Sequence, residues 1–190
     1  VDKNGQVIGL MHSNGQTTAI DANYARQLKV TGLSSLDAAL RETAIRTALP
    51  DTEQEAMTMM TLKKGQLKME EYAKYSDEFI EKFPTSAYGY KEKAMDLVNA
   101  DKYEEAAKLM ETGIKKATAK DEAHSNYSDI IYQKVIYKGD SVYTAWTLDK
   151  ALDEARQAYA IKAQPIYRHQ EARILFTKGD YATAANLSST

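Results

Sequence analysis

Three histidines and no cysteine limit the chemistry open to this 190-residue chain. His12-Ser13 sets a base beside a hydroxyl, the two groups a hydrolytic nucleophile needs. The surrounding residues read as strand, and neighbouring strand residues point to opposite faces, so this pair does not meet. His124 and His169 each lack a second His or Cys at metal-ligand spacing, and they read as surface or groove side chains. With no cysteine there is neither a disulfide framework nor a thiolate zinc site. Gly5 and Gly9 lie around a strand instead of opening a helix, which is not the arrangement that cradles phosphate. The acid pairs Glu70-Glu71 and Glu104-Glu105 read as solvated helix faces. Met57, Met59 and Met60 read as core, although methionine also suits adaptable grooves. The expectation is a chain with no catalytic constellation, no metal and no cofactor.

Composition narrows the class further. Hydrophobic residues make up 43% of the chain, and 25 basic against 27 acidic side chains leave a formal net charge of -2. That balance removes the electrostatic case for nucleic acid, where clustered Lys and Arg neutralise phosphates. No apolar run approaches the roughly 20 residues that cross a bilayer, so no membrane insertion is expected. Val1-Asp2-Lys3-Asn4 leads into a turn and does not read as a secretory leader. Thirteen tyrosines against one tryptophan suit helical repeats, which place the ring between helices and its polar tip at a groove.

The elements that position these side chains fall into two kinds. Asn4-Gly5 and Asn14-Gly15 are tight-turn signals, with the apolar run Val7–Met11 between them and Thr17–Ile20 after the second. From about residue 35 the pattern is helical. Ser34-Ser35 and Asp37 read as a helix start, with Leu36, Ala39, Leu40 and Ala44 on one face and Pro50 at the end. Thr52 with Glu55 forms a capping-box pattern, and Ala56, Met59 and Met60 follow at helical spacing. Gly65 breaks that helix, and the next carries Met69, Tyr72, Phe79 and Ile80 before Pro84. Ser86 caps a helix burying Tyr90, Ala94, Leu97 and Val98. Asp101 with Glu104 reads as a second capping box ahead of Tyr103, Ala106, Ala107, Met110 and Ile114.

These helices repeat. "DKYEEAAKL" (101–109) and "GDYATAANL" (179–187) share a tyrosine followed by an Ala-Ala pair. Tyr72, Ala106, Ala151 and Ala184 stand at one equivalent site, separated by 34, 45 and 33 residues. A period near 34 is that of tetratricopeptide helical hairpins. The longer interval holds about 11 extra residues, which "KGDSVYTAW" (138–146) accommodates. Residues 52–190 thus resemble a tetratricopeptide-repeat array, with Ala94, Ala106, Ala172 and Ala184 at its small positions and Tyr103 and Tyr181 at its aromatic one. Pro84 and Pro165 match the prolines between pairs. No proline follows the second pair, where "KATAKDE" stands, and Glu171 occupies a place where the family prefers Leu. The last repeat stops at Thr190, so the resemblance implies further chain beyond it. The fold class expected is all-α: a right-handed superhelix of helical hairpins with a short N-terminal β-hairpin.

"VDKNGQVIGLMHSNG…TTAID" resembles the segment just after the nucleophile motif in trypsin-like proteases of the bacterial HtrA type. There a turn, a "G-x-V-I-G" strand and a strand ending "A-I-x" precede a terminal helix. On this chain those are Asn4-Gly5, Gln6–Met11, Thr17–Ile20 and Ala22–Leu28. An unrelated hairpin covering the first helix is the alternative. The resemblance divides the chain into 1–33, a protease remnant, and 34–190, the repeat domain. It also implies that a parent protein holds a triad upstream of Val1, and it suggests the periplasm or cell envelope.

In tetratricopeptide arrays the first helix of each pair lines the concave face. That register places Tyr88, Lys91, Met95 and Asn99 inward from one repeat, Ser125, Asp129 and Tyr132 from the next, and His169, Arg173 and Phe176 from the last. Rings with both charge signs suit an extended peptide. The function expected is a protein-interaction scaffold with a protein or peptide partner. Self-association, or service as part of a serine peptidase, are the alternatives. Lys91 suits a clamp for a C-terminal carboxylate, but Met95 stands where such a clamp needs Asn. Incubation with a serine-reactive fluorophosphonate probe should label no residue of this chain, and active-site labelling of any residue in 1–190 would restore the hydrolase reading.

Overall fold

The computed structural model describes residues 3–4, 9–13, 17–21, 48–139 and 143–188. The chain separates into two compact units, 1–51 and 52–190. In the first, β1 (Gly9–Ser13) pairs antiparallel with β2 (Thr17–Asp21), in a register that sets Met11 opposite Ala19 and Ser13 opposite Thr17. Of the strand expected over Gln6–Met11, residues 9–11 fall in β1 and residues 6–8 lie outside the described residues. The helix expected over Ser34–Leu49 falls largely outside the described residues.

The second unit carries eight helices among its described residues. They are α1 (Glu53–Lys63), α2 (Met69–Lys82), α3 (Ala87–Asn99), α4 (Tyr103–Lys116), α5 (Lys120–Lys138), α6 (Leu148–Ile161), α7 (Pro165–Lys178) and α8 (Tyr181–Ser188). Successive helices form antiparallel hairpins α1/α2, α3/α4, α5/α6 and α7/α8. Each later first helix packs on the hairpin before it: α3 on α2, α5 on α3 and α4, α7 on α5 and α6. The first helices α3, α5 and α7 therefore lie side by side.

Local sequence explains the boundaries. Thr52 caps α1, its hydroxyl oxygen accepting from the Glu55 amide at 3.4 Å, and Pro165 takes the first turn of α7, where its missing N–H costs nothing. Gly65, Gly139 and Gly179 adopt positive φ and turn the chain after α1, α5 and α7. Ser86 precedes α3 but makes no side-chain cap bond. The capping box expected at Asp101 does not form. Asp101 sits one residue too early, with φ 58, and Lys102 takes the cap position. The Asp101 carboxylate instead accepts from the Tyr103 hydroxyl at 2.6 Å and the Lys138 ammonium at 2.7 Å, fastening the α3–α4 turn to the end of α5.

Close helix approach depends on small side chains. Tyr72, Ala106, Ala151 and Ala184, the equivalent sites of the four hairpins, are all buried. Gly113 on α4 faces Tyr90 on α3 so closely that an added Cβ would lie 2.8 Å from the ring carbon, and Gly89 meets Phe79 in the same manner. One continuous core joins Tyr90, Ala94, Met110, Ile130, Ile131, Ala155 and Ile174. The extra residues between α5 and α6 add to it. Trp146 is 1% exposed and packs edge-on against Tyr103, Tyr127 and Tyr143, while its Nε1 donates to the Tyr127 hydroxyl at 3.1 Å. Burial holds that hydroxyl up at about 12. The insertion is a wedge locking hairpin α3/α4 to α5/α6. Trp146→Ala should cost about 3–5 kcal/mol, read as a fall in the urea midpoint of the helical circular-dichroism signal.

Candidate protein-binding face

The ten expected groove residues all stand on α3, α5 and α7, but the structure uses them differently. Between α5 and α7 they form a ladder. The Ser125 hydroxyl donates to Gln170 Oε1 at 3.0 Å, and Gln170 Nε2 returns a bond to the Ser125 carbonyl at 3.3 Å. The Arg173 guanidinium donates to Asp129 Oδ1 at 2.6 Å and lies 4.4 Å from the centre of the Tyr132 ring. Gln133 holds the other Asp129 oxygen at 2.7 Å, and the Tyr132 hydroxyl meets Thr177 at 3.0 Å. Ser125, Asp129, Tyr132 and Arg173 are thus brought together as a bond between neighbouring first helices. Tyr132, 8% exposed, is more a packing residue than a free anchor.

On α3, Tyr88 is half-buried with its ring 5.2 Å from Phe79 in an edge contact, and burial together with the Glu92 charge pushes its hydroxyl pKa up. Met95 packs on the core. The side chains of Lys91, Asn99 and His169 make no hydrogen bond or ion pair among the described residues. Phe176 is 63% exposed, with only the Tyr181 ring, 5.0 Å away, beside it. Of the ten, Lys91, Asn99, His169 and Phe176 are the side chains not taken up by the ladder or the core.

Sequence reasoning missed a set of buried carboxylates. Glu92 on α3 takes the Lys64 ammonium at 2.8 Å and the Tyr72 hydroxyl at 2.7 Å; burial and this carboxylate drive the Tyr72 pKa far above its usual value. Asp121 on α5 accepts from the Tyr167 hydroxyl at 2.9 Å. Glu171, placed where a Leu is preferred, receives Arg156 and Arg168, each at 2.7 Å. His124 was read as a surface or groove histidine, yet its Nδ1 lies 2.6 Å from buried Glu154, which Lys150 also holds at 2.6 Å. The legible signal was an acid within an otherwise apolar helix face.

Among the described residues no group of three or more His, Asp and Glu is arranged to hold a metal. No described helix is long and apolar enough to cross a membrane. No protein-family model matches the chain, and no curated protein matches it. A solved structure titled "MamA RS-1 ArsTM double mutant" is similar over 81% of this chain and 78% of its own, at 16% identity and a TM-score of 0.46. The hairpin array stands on the helix–helix contacts of this chain.

Buried Glu154 makes stability depend on pH. Burial disfavours the Glu154 charge, but the hydrogen bonds from His124 and Lys150 outweigh it and hold its pKa below the ordinary 4.5. A carboxylate depressed in the folded state stabilises above its unfolded pKa, and that contribution is lost as pH falls through the folded value. Urea midpoints should therefore drop below about pH 4.5, and Glu154→Gln should flatten that part of the profile while lowering stability at neutral pH.

Proposed function

We propose that residues 52–190 are a protein-interaction scaffold that holds an extended peptide segment along the face shared by α3, α5 and α7. The observation that supports this is the α5–α7 ladder of Ser125, Asp129, Tyr132 and Arg173, with Lys91, Asn99, His169 and Phe176 left exposed or unpaired beside it. The ladder fixes the spacing between helices before a ligand arrives, so binding orders few protein side chains. The four remaining groups offer one aromatic anchor and three polar contacts, the mixture that holds an extended segment. In a longer protein this scaffold would present partners to a trypsin-like protease domain, a link whose support is the sequence of residues 1–28.

A triple variant Lys91→Glu, His169→Ala and Phe176→Ala touches none of the core and should keep the helical signal and urea midpoint. It should recover fewer partners from a cell extract than the parent, by about tenfold if a central anchor is lost. Recovery of the same partners at the same yield would move the binding face elsewhere. Sedimentation at several concentrations separates this reading from self-association.

A further inference from the structure

The opposite side of α3 carries a second surface that the peptide groove does not use. Lys93 and Leu97 stand about 200° round the helix from Lys91 and Met95. There α2 and α4 both pack on α3 and leave a cleft of about 600 Å³ between them. Its floor is apolar: Ile80 from α2, Leu97 from α3 and Leu109 from α4, all only partly covered. Its rim is charged but not balanced. Lys93 is spent on Asp77 at 2.7 Å, and Lys108 on Glu104 at 2.7 Å. Glu81 has no partner among the described residues, while Glu105 pairs with exposed Lys102 at 3.4 Å and also feels the Lys108 charge. The lining holds three acids, Asp77, Glu81 and Glu105, against the two bases Lys93 and Lys108. The open charge of the cleft is acidic.

The molecule also shows what such a space accepts. One hairpin further on, the space bounded by α4, α5 and the start of α6 receives Trp146 and Tyr143 from the chain's own insertion, packed against Tyr103 and Tyr127. Beside those rings the cations Lys134 and Lys138 lie over Tyr103. There the inserted segment supplies the rings, and the cations come from α5, which bounds the space. In hairpin α3/α4 the connection corresponding to the insertion is the short turn 100–102, which supplies no ring.

We infer that the α2–α3–α4 cleft docks a linear peptide segment of a partner protein, with aromatic or aliphatic anchors entering over Ile80, Leu97 and Leu109 and flanking Lys or Arg meeting Glu81 and Glu105. This site is separate from the α3–α5–α7 face, and the full chain can occupy both.

Fluorescence polarisation on the full chain tests it, with a fluorescein-labelled Lys-Arg-Trp-Leu-Tyr-Arg-Lys peptide and a counterpart in which Glu replaces every basic residue. The basic peptide should bind saturably and at least tenfold more tightly than the acidic one. Glu81→Lys with Glu105→Lys, both exposed and remote from the core, should weaken it at least tenfold with circular dichroism unchanged. Leu109→Ala should weaken it without altering its salt dependence, a readout that plain charge attraction would not give. The Lys91, His169 and Phe176 triple variant should bind it as the parent does. Absence of saturable binding, binding indifferent to the charge reversal, or loss in the triple variant would each overturn the cleft assignment, and the last would place the peptide in the other groove. The groove reading itself is tested by partner recovery and stands or falls separately.

Discussion

The distance between adjacent helix axes decides everything else in residues 52–190. Helices meet at the distances their contact residues permit, and here those residues are Ala94, Ala106, Ala151, Ala172, Ala184 and the bare backbone of Gly113. Because the axes come close, rings such as Tyr90, Tyr127 and Trp146 fill the remaining space and their hydroxyl or indole groups find partners within reach. Enlarging one of these small residues would push a hairpin outward and undo contacts on both sides of it. The ladder between α5 and α7 exists only because the backbone spacing brings Ser125 to Gln170 and Asp129 to Arg173.

Much of this arrangement could be read from residue order. The recurrence of a small or aromatic residue at 72, 106, 151 and 184 reports the hairpin repeat because each position faces the same crossing, and burial of all four agrees with it. Helix starts at 53, 87, 120 and 165 reproduce the uneven spacing, with the long interval where the insertion lies. Single-residue boundaries were harder. Asp101 looks like a cap by type, but a competing attraction from Tyr103 and Lys138 takes its carboxylate, and that attraction comes from a residue 37 positions away. The likeness of the opening residues to the tail of a protease rests on sequence alone.

The candidate face was legible as a set of positions and not as a set of roles. Helical spacing places Ser125, Asp129, Tyr132, His169, Arg173 and Phe176 on two neighbouring first helices, but it does not tell which side chains bond to one another. Tyr132 is covered and Phe176 exposed for a tertiary reason: α7 lies over the first, and only Tyr181 stands beside the second. Tyr103 and Tyr181 occupy the same place in their hairpins, yet one is 6% and the other 61% exposed, because Tyr143 and Trp146 reach only the former. The insertion, expected to hold the extra residues of the longer repeat interval, contains the one tryptophan. Its residue type was the available clue that it belongs to the core.

Each junction between hairpins carries its own chemistry. Glu92 with Lys64 and Tyr72 joins the first to the second; a ring cluster with Asp101 and Lys138 joins the second to the third; Asp121, Asp129 and Glu171 join the third to the fourth. Repeats of this kind are often treated as interchangeable beads, but these are not. Moving one hairpin to another place in the order would set buried Glu92, Asp121 or Glu171 against a surface without its present partners, a loss on the order of several kcal/mol for each of these buried charges. The order of the hairpins is thereby written into their edges, as in a set of keyed blocks, and shuffling, deletion or duplication within residues 52–190 is resisted even where every hairpin keeps its own shape.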